Sequence, residues 1–209
     1  MSRPDPDEEP AVTFTSTFID ESIALLTALR QDDVEACAAG IARVRERGGR
    51  LFILGVGGSA GHASHAVNDF RKLCGIEAYT PTDNVSELTA RVNDEGWDTA
   101  FAAWLEVSRL GPDDGLLVFS VGGGDIDNQV SVNLVRALEL AVERGAAVFG
   151  IVGRKGGYTA QVADACVVIP DSFPDRVTPH TEGLCAVVWH LLVSHPALAA
   201  RSTKWESLR

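Results

Sequence analysis

The sequence predicts an α/β fold: a five-stranded parallel sheet with helices on both faces and two further helices ahead of it. Three observations carry this. Short apolar runs of the kind that fill buried parallel strands recur at Leu51–Leu54, Leu116–Ser120, Ala147–Val152 and Ala165–Ile169, and Ile76–Thr80 after the stop at Gly75 reads as a further strand. Segments of helical period separate them, as a parallel sheet covered on both faces requires. Two of the runs pass straight into glycine-rich loops, Gly55-Val56-Gly57-Gly58-Ser59 and Gly122-Gly123-Gly124. Ligands of such sheets bind beyond the carboxyl ends of the strands, so these two loops mark the expected site and a phosphorylated small molecule is its natural occupant.

Taken in order, residues 1–11 are rich in proline and acids and read as a disordered tail ahead of one domain over 12–209. Phe18, Ile23, Leu25, Leu26 and Leu29, then Val34, Ala38, Ile41 and Val44, repeat at helical spacing across 14–47; Asp32-Asp33 restarts the helix after a break near Arg30, and Gly48-Gly49 ends it. Ser59 is the expected N-cap of the helix that follows the first strand. Asn84–Val92 and Trp97–Leu110 read as helices joined by Asn93-Asp94-Glu95-Gly96, with Trp97, Phe101 and Trp104 as a buried stripe. Gly111-Pro112-Asp113-Asp114-Gly115 is a turn, Ser131–Arg144 a helix, Gly153–Tyr158 a loop, and Pro179–His195 a closing amphipathic helix stopped by Pro196.

The 209 residues suit one domain with a substantial core, and 45% hydrophobic with 22% charged residues is ordinary for a globular chain. No apolar run approaches the roughly 20 residues that span a bilayer. The opening MSRPDPDEEP is too polar and acidic for a signal peptide. Cys37, Cys74, Cys166 and Cys185 form no CxxC pair, which favours reduced thiols and a cytoplasmic setting. A net charge of −11 argues against nucleic-acid partners.

On the helix after the first strand His65 and Asp69 stand four residues apart and share one face. An imidazole and a carboxylate at that spacing can hold one metal ion or divide acid and base work; the bland alternative is a surface hydrogen bond. The glycine loop has its own bland reading, simple packing of helix on strand, and it matches neither GxGxxG nor GxxxxGK[ST]. Of the other histidines, His62 reads as solvent-facing, His195 as a helix-end residue, and His180 as either a substrate contact or a structural residue.

With GVGGSAGHASH at 55–65, VNDEGW at 92–97, RGAAVFGIVGRKGG at 144–157 and EGLCAVVWH at 182–190, the chain resembles the SIS (sugar isomerase) domain family, in particular its phosphoheptose isomerases. The resemblance implies a three-layer αβα fold and aldose–ketose isomerisation of sedoheptulose 7-phosphate in a homotetramer. It further implies a first substrate loop at Val56, Gly57, Gly58 and Ser59, a second segment at Asn93 and Asp94, and a phosphate loop running from Ser120 through Val121 and Gly122 to Ser131. The implied metal ligands are His65, Asp69, Glu182 and His190, around zinc or another divalent ion, with Glu182 also in reach of substrate. Asp69 stands where the family has Glu, Glu182 where it has Gln, and Val56 where it has Asn. Acidic Asp125 and Asp127 lie in the phosphate loop, so an isomerase of a related phosphosugar and a non-catalytic sugar-phosphate sensor or adaptor are the rival readings.

Isomerisation through an enediol needs a base at the carbon acid and an acid at the carbonyl oxygen. Those roles fall to Asp69 and His190. Eight helical steps separate Glu182 from His190 by about 12 Å along an axis. One ion is shared by both only if Glu182 precedes the helix or one of the pair comes from a neighbouring chain, and a pocket composed of two copies is the resulting expectation.

Overall fold

The computed structural model describes residues 12–208; the stretch 1–11, expected as a disordered tail, and residue 209 lie outside the described residues. Thr13 opens α1 (Phe14–Thr27) through a capping box, its Oγ1 accepting from Ser16 N–H at 3.1 Å while Ser16 Oγ accepts from Thr13 N–H at 3.0 Å. The chain breaks at Arg30, which is extended, and resumes as α2 (Gln31–Glu46) with Asp32 and Asp33 in its first turn and Arg43 and Arg45 in its last. Both charge sets complement the helix dipole.

Strand β1 (Leu51–Leu54) leads through the glycine loop into α3 (Gly58–Lys72), then β2 (Ala78–Tyr79), α4 (Val85–Asp94), α5 (Ala100–Val107), β3 (Gly115–Ser120), α6 (Val132–Glu143), β4 (Ala147–Val152), α7 (Gly157–Val162), β5 (Ala165–Val168) and α8 (Val177–Ser194). All strand pairs are parallel, in the order β2-β1-β3-β4-β5. Alternate strand residues feed two cores, as the pleat dictates. Leu51, Ile53, Leu117, Phe119, Phe149 and Ile151 join one core with side chains from α2, α3 and α8. Phe52, Leu54, Leu116, Val118 and Val148 join the other with side chains from α5 and α6. The three-layer architecture therefore stands. The order reverses between β1 and β3, which makes the cleft at their carboxyl ends the topological switch point of the sheet.

Four local expectations are corrected. The N-cap of α3 is Gly57, at φ 63° and ψ −126°, a backbone conformation only glycine adopts without strain; Ser59 lies inside the helix and is buried. Helix α4 continues through Asn93 and Asp94, so these residues end a helix rather than link two. Trp97 precedes α5 and is 38% exposed; it leans edge-on against buried Phe101. The segment read as a loop to Tyr158 gives way at Gly157 to the short helix α7. Among the described residues no helix is long and apolar enough to cross a membrane.

Candidate functional site

Helices α3 and α8 pack side by side on the same sheet face. At one end of the pair Glu182 meets Gly58; about two to three turns further along both helices, His65 and Asp69 meet His190. The two helices thus run in the same direction, and each contributes to two places along their shared edge.

At the second place Asp69 Oδ2 lies 3.7 Å from His65 Nε2 and 4.0 Å from His190 Nε2. The two imidazole rings stand 5.4 Å apart and nearly perpendicular. One ligand atom from each of the three residues falls within 4.8 Å of the others. His190 Nδ1 is 2.7 Å from the Ala186 carbonyl, which can only accept, so Nδ1 carries a hydrogen and Nε2 is the nitrogen turned toward Asp69. Asp69 Oδ1 accepts from Asn68 Nδ2 at 2.8 Å, which leaves Oδ2 as the oxygen facing both rings. Asp69 is largely covered while both histidines stay open to solvent. Two imidazole nitrogens and a carboxylate oxygen form a donor set that could hold a divalent ion.

Glu182 does not join this group. It lies inside α8, five residues past its start, so the first of the two alternatives, that it precedes the helix, does not hold. Its two carboxylate oxygens lie 2.7 and 2.8 Å from where a Cβ on Gly58 would stand. The carboxylate therefore sits at the amino end of α3, beside the glycine loop of β1. Glu182 and His190 belong to one chain and serve two different places.

Val56 and Gly57 form the turn at the carboxyl end of β1, Gly58 and Ser59 open α3, and Ser120 ends β3 next to β1 in the sheet. Ser120 Oγ accepts from Gly123 N–H at 3.0 Å. Beyond half-buried Val121 and Gly122 the loop makes a small hairpin, closed by an antiparallel bridge between Asp125 and Val130. The Asp125 carboxylate accepts from the Asn128 side chain at 2.7 Å and its N–H at 3.0 Å, bonds that lower its pKa and tie its charge into its own turn. Ser131 caps α6 in the left-handed conformation and makes no side-chain capping bond. Asn93 and Asp94 lie exposed at the end of α4, where the Asn93 side chain donates to Asp94 at 2.7 Å.

His180 is a structural residue here. Its Nε2 lies 2.8 Å from buried Glu21 of α1, whose other partner is Arg176, with Nε at 2.7 Å. Two residues escaped the sequence reading. Asn133, the second residue of α6, is fully buried with neither amide atom partnered among the described residues, and its place in the apolar run Val132–Val135 was the available signal. Trp189, next to His190, had none. A cavity of about 440 Å³ lined by Arg43, Arg47 and Asp164 lies at the amino end of β4, the wrong edge of a parallel sheet for its ligand.

No protein-family model matches the chain. It is 34% identical over 199 residues to the lincomycin biosynthesis protein LmbN of Streptomyces lincolnensis, across 90% of this chain and 70% of that protein. It is 34% identical over 162 residues to the phosphoheptose isomerase of Rhodospirillum rubrum, across 74% of this chain and 80% of the relative. Its fold superposes on the phosphoheptose isomerase GmhA from Neisseria gonorrhoeae with a TM-score of 0.73 at 24% identity, over 86% of this chain and 95% of the other. With the shared sheet and these identities over most of both chains, the protein belongs to the SIS-domain phosphoheptose isomerase family.

Proposed function

We propose that the protein interconverts sedoheptulose 7-phosphate and D-glycero-D-manno-heptose 7-phosphate in the cytoplasm, as a homotetramer. The observation that carries the reading is the convergence of His65, Asp69 and His190 from two separate helices on one point. A module that only binds sugar phosphates has no use for such a group.

In the open-chain ketose, Asp69 Oδ2 takes a proton from C1 while an acid delivers one to the C2 carbonyl oxygen, giving the enediol. Return of a proton to C2 and loss of the O1 proton gives the aldose. His190 is assigned the oxygen-side transfers: with its Nδ1 hydrogen held by Ala186, Nε2 is the nitrogen that exchanges protons, in its protonated form giving one to O2 and then taking the O1 proton to restore itself. His65, Asp69 and His190 could instead hold a zinc or similar divalent ion, which would polarise the substrate oxygens in place of the His190 proton; the ligand and proton-transfer roles compete for Asp69 Oδ2 and His190 Nε2. The amide-rich turns at Gly57–Ser59 and Ser120–Ser131 are the assigned phosphate cradle at the switch point, with Asn93, Asp94 and Glu182 as further substrate contacts. Assay of the purified protein against sedoheptulose 7-phosphate and a panel of other ketose phosphates tests the reading. Turnover of the heptose alone is the expected result, and preference for another phosphosugar overturns the substrate assignment.

A further inference from the structure

We propose that Trp189 is a positioning residue for the histidine–aspartate group, its indole acting as a rigid floor that sets the planes of both imidazoles. Trp189 is fully buried. Its ring stacks on His190 with centroids 3.5 Å apart and planes at 27°, and it meets the His65 ring edge-on at 4.8 Å and 69°. One side chain therefore touches both candidate nitrogen ligands.

The two histidines need such a support. Both are about half exposed. His190 has one hydrogen bond, to Ala186, and His65 has none among the described residues, its nearest polar neighbour being Asp69 at 3.7 Å. An imidazole so placed turns freely about its terminal torsion unless packing holds it. Packing against a flat aromatic face limits that rotation without using either ring nitrogen.

The indole itself carries the second indication. Its Nε1 is buried with no hydrogen-bond partner. Leaving a buried donor unpaired is unfavourable, and a leucine or phenylalanine would fill this part of the core without it. Breadth is what the indole adds over those residues: it spans from the His190 face to the His65 edge. A local departure from good core chemistry beside a reactive cluster is where a functional demand is expected to override packing.

The inference rests on the reading of His65, Asp69 and His190 as the active group, and its test has an arm that does not. Ring-proton NMR of the two histidines reads the packing directly, because a stacked indole shifts the His190 signals upfield. In Trp189→Phe the smaller ring keeps the stack but not the reach, so the His65 signals move while those of His190 largely stay. In Trp189→Leu both sets move toward exposed values and broaden. Kinetically, kcat falls about tenfold or more in Trp189→Leu with KM changed less than about twofold, and Trp189→Phe recovers part of the loss. Unchanged histidine signals in Trp189→Phe overturn the proposal. So does a kcat loss in Trp189→Phe as deep as that of Trp189→Leu. If Trp189→Leu does not fold, the Phe variant and a Trp189→Tyr variant carry the same comparison. Failure of the functional reading shows separately, as a wild-type protein that isomerises no ketose phosphate while its histidine signals still respond to Trp189.

Discussion

Asp69 is the residue on which the proposed chemistry turns, because a single oxygen of it faces both imidazoles. Asp69→Asn keeps the shape and removes the base. Turnover should fall by roughly 10²-fold or more, with an unchanged circular dichroism spectrum and melting temperature. Near-normal kcat would remove Asp69 from the base role. Gly58 is a second informative position. A Cβ there would overlap the Glu182 carboxylate, which is the movable end of a flexible side chain, so Gly58→Ala should displace Glu182 at little cost in melting temperature. KM for the sugar phosphate is expected to rise about tenfold if Glu182 contacts substrate, and Glu182→Ala in the same chain should add little further. The His65/Asp69 pair was legible as a one-turn spacing within one helix. What joins it to His190 is the registry of two helices more than a hundred residues apart in sequence, and no local pattern records that. Gly57 was hidden for another reason: it caps α3 by backbone conformation, whereas side-chain chemistry pointed to Ser59.

Helix α1 is fastened to the start of α8 by one buried carboxylate. Arg176, by its hydrogen bonds, and then His180 hold the Glu21 carboxyl down from its ordinary value near 4.5 to about 2. A carboxyl whose folded pKa is depressed adds stability that is fully present above the unfolded value. That stability is lost as pH falls from about 4.5 toward 2. The melting temperature of the wild type should decline across that window, and Glu21→Gln should melt lower at pH 7 with a flatter acid limb. An equal acid limb in both proteins would show that other carboxylates govern it. The outer face of α1 leaves Phe14, Ile19, Ile23 and Leu26 exposed. We expect a copy of the chain to cover this face, which sedimentation at nanomolar concentration checks. Asp69 and His190 meet within one chain, so mixed oligomers of Asp69→Asn and His190→Ala subunits should recover no activity. Recovery would place a working pair across an interface. The helices themselves were plain from their apolar period. Trp97 was misjudged because period alone cannot say that α5 begins three residues later.

At the scale of the molecule the sheet order was hidden and the strands were not. Strands buried on both faces are continuous apolar runs, whereas their order comes from which helix crosses which face. All four cysteines are free and sit within or against this framework. Burial pushes the thiols of Cys37 and Cys166 up to about 12 and that of Cys74 to about 11, and raises Cys185 as well. The folded protein should therefore resist alkylation at pH 8, and all four thiols should react together on unfolding. Fast labelling of any one of them in the folded state would locate a region that opens on its own.

The hairpin between Ser120 and Ser131 has a consequence for how such a protein changes over time. It leaves the sheet at the end of β3 and returns at the cap of α6, closing on itself through Asp125 and Val130. Lengthening a loop of this kind adds only slowly to its closure entropy. Its tip, Asp127 to Val130, is exposed and anchors no part of either core. With this hairpin as the proposed phosphate loop, insertions and deletions there would alter which sugar phosphate fits while the histidine–aspartate group, carried on α3 and α8, keeps its geometry. In that proposal selectivity and reactivity are encoded in separable stretches of chain, and a lineage can drift in one without losing the other.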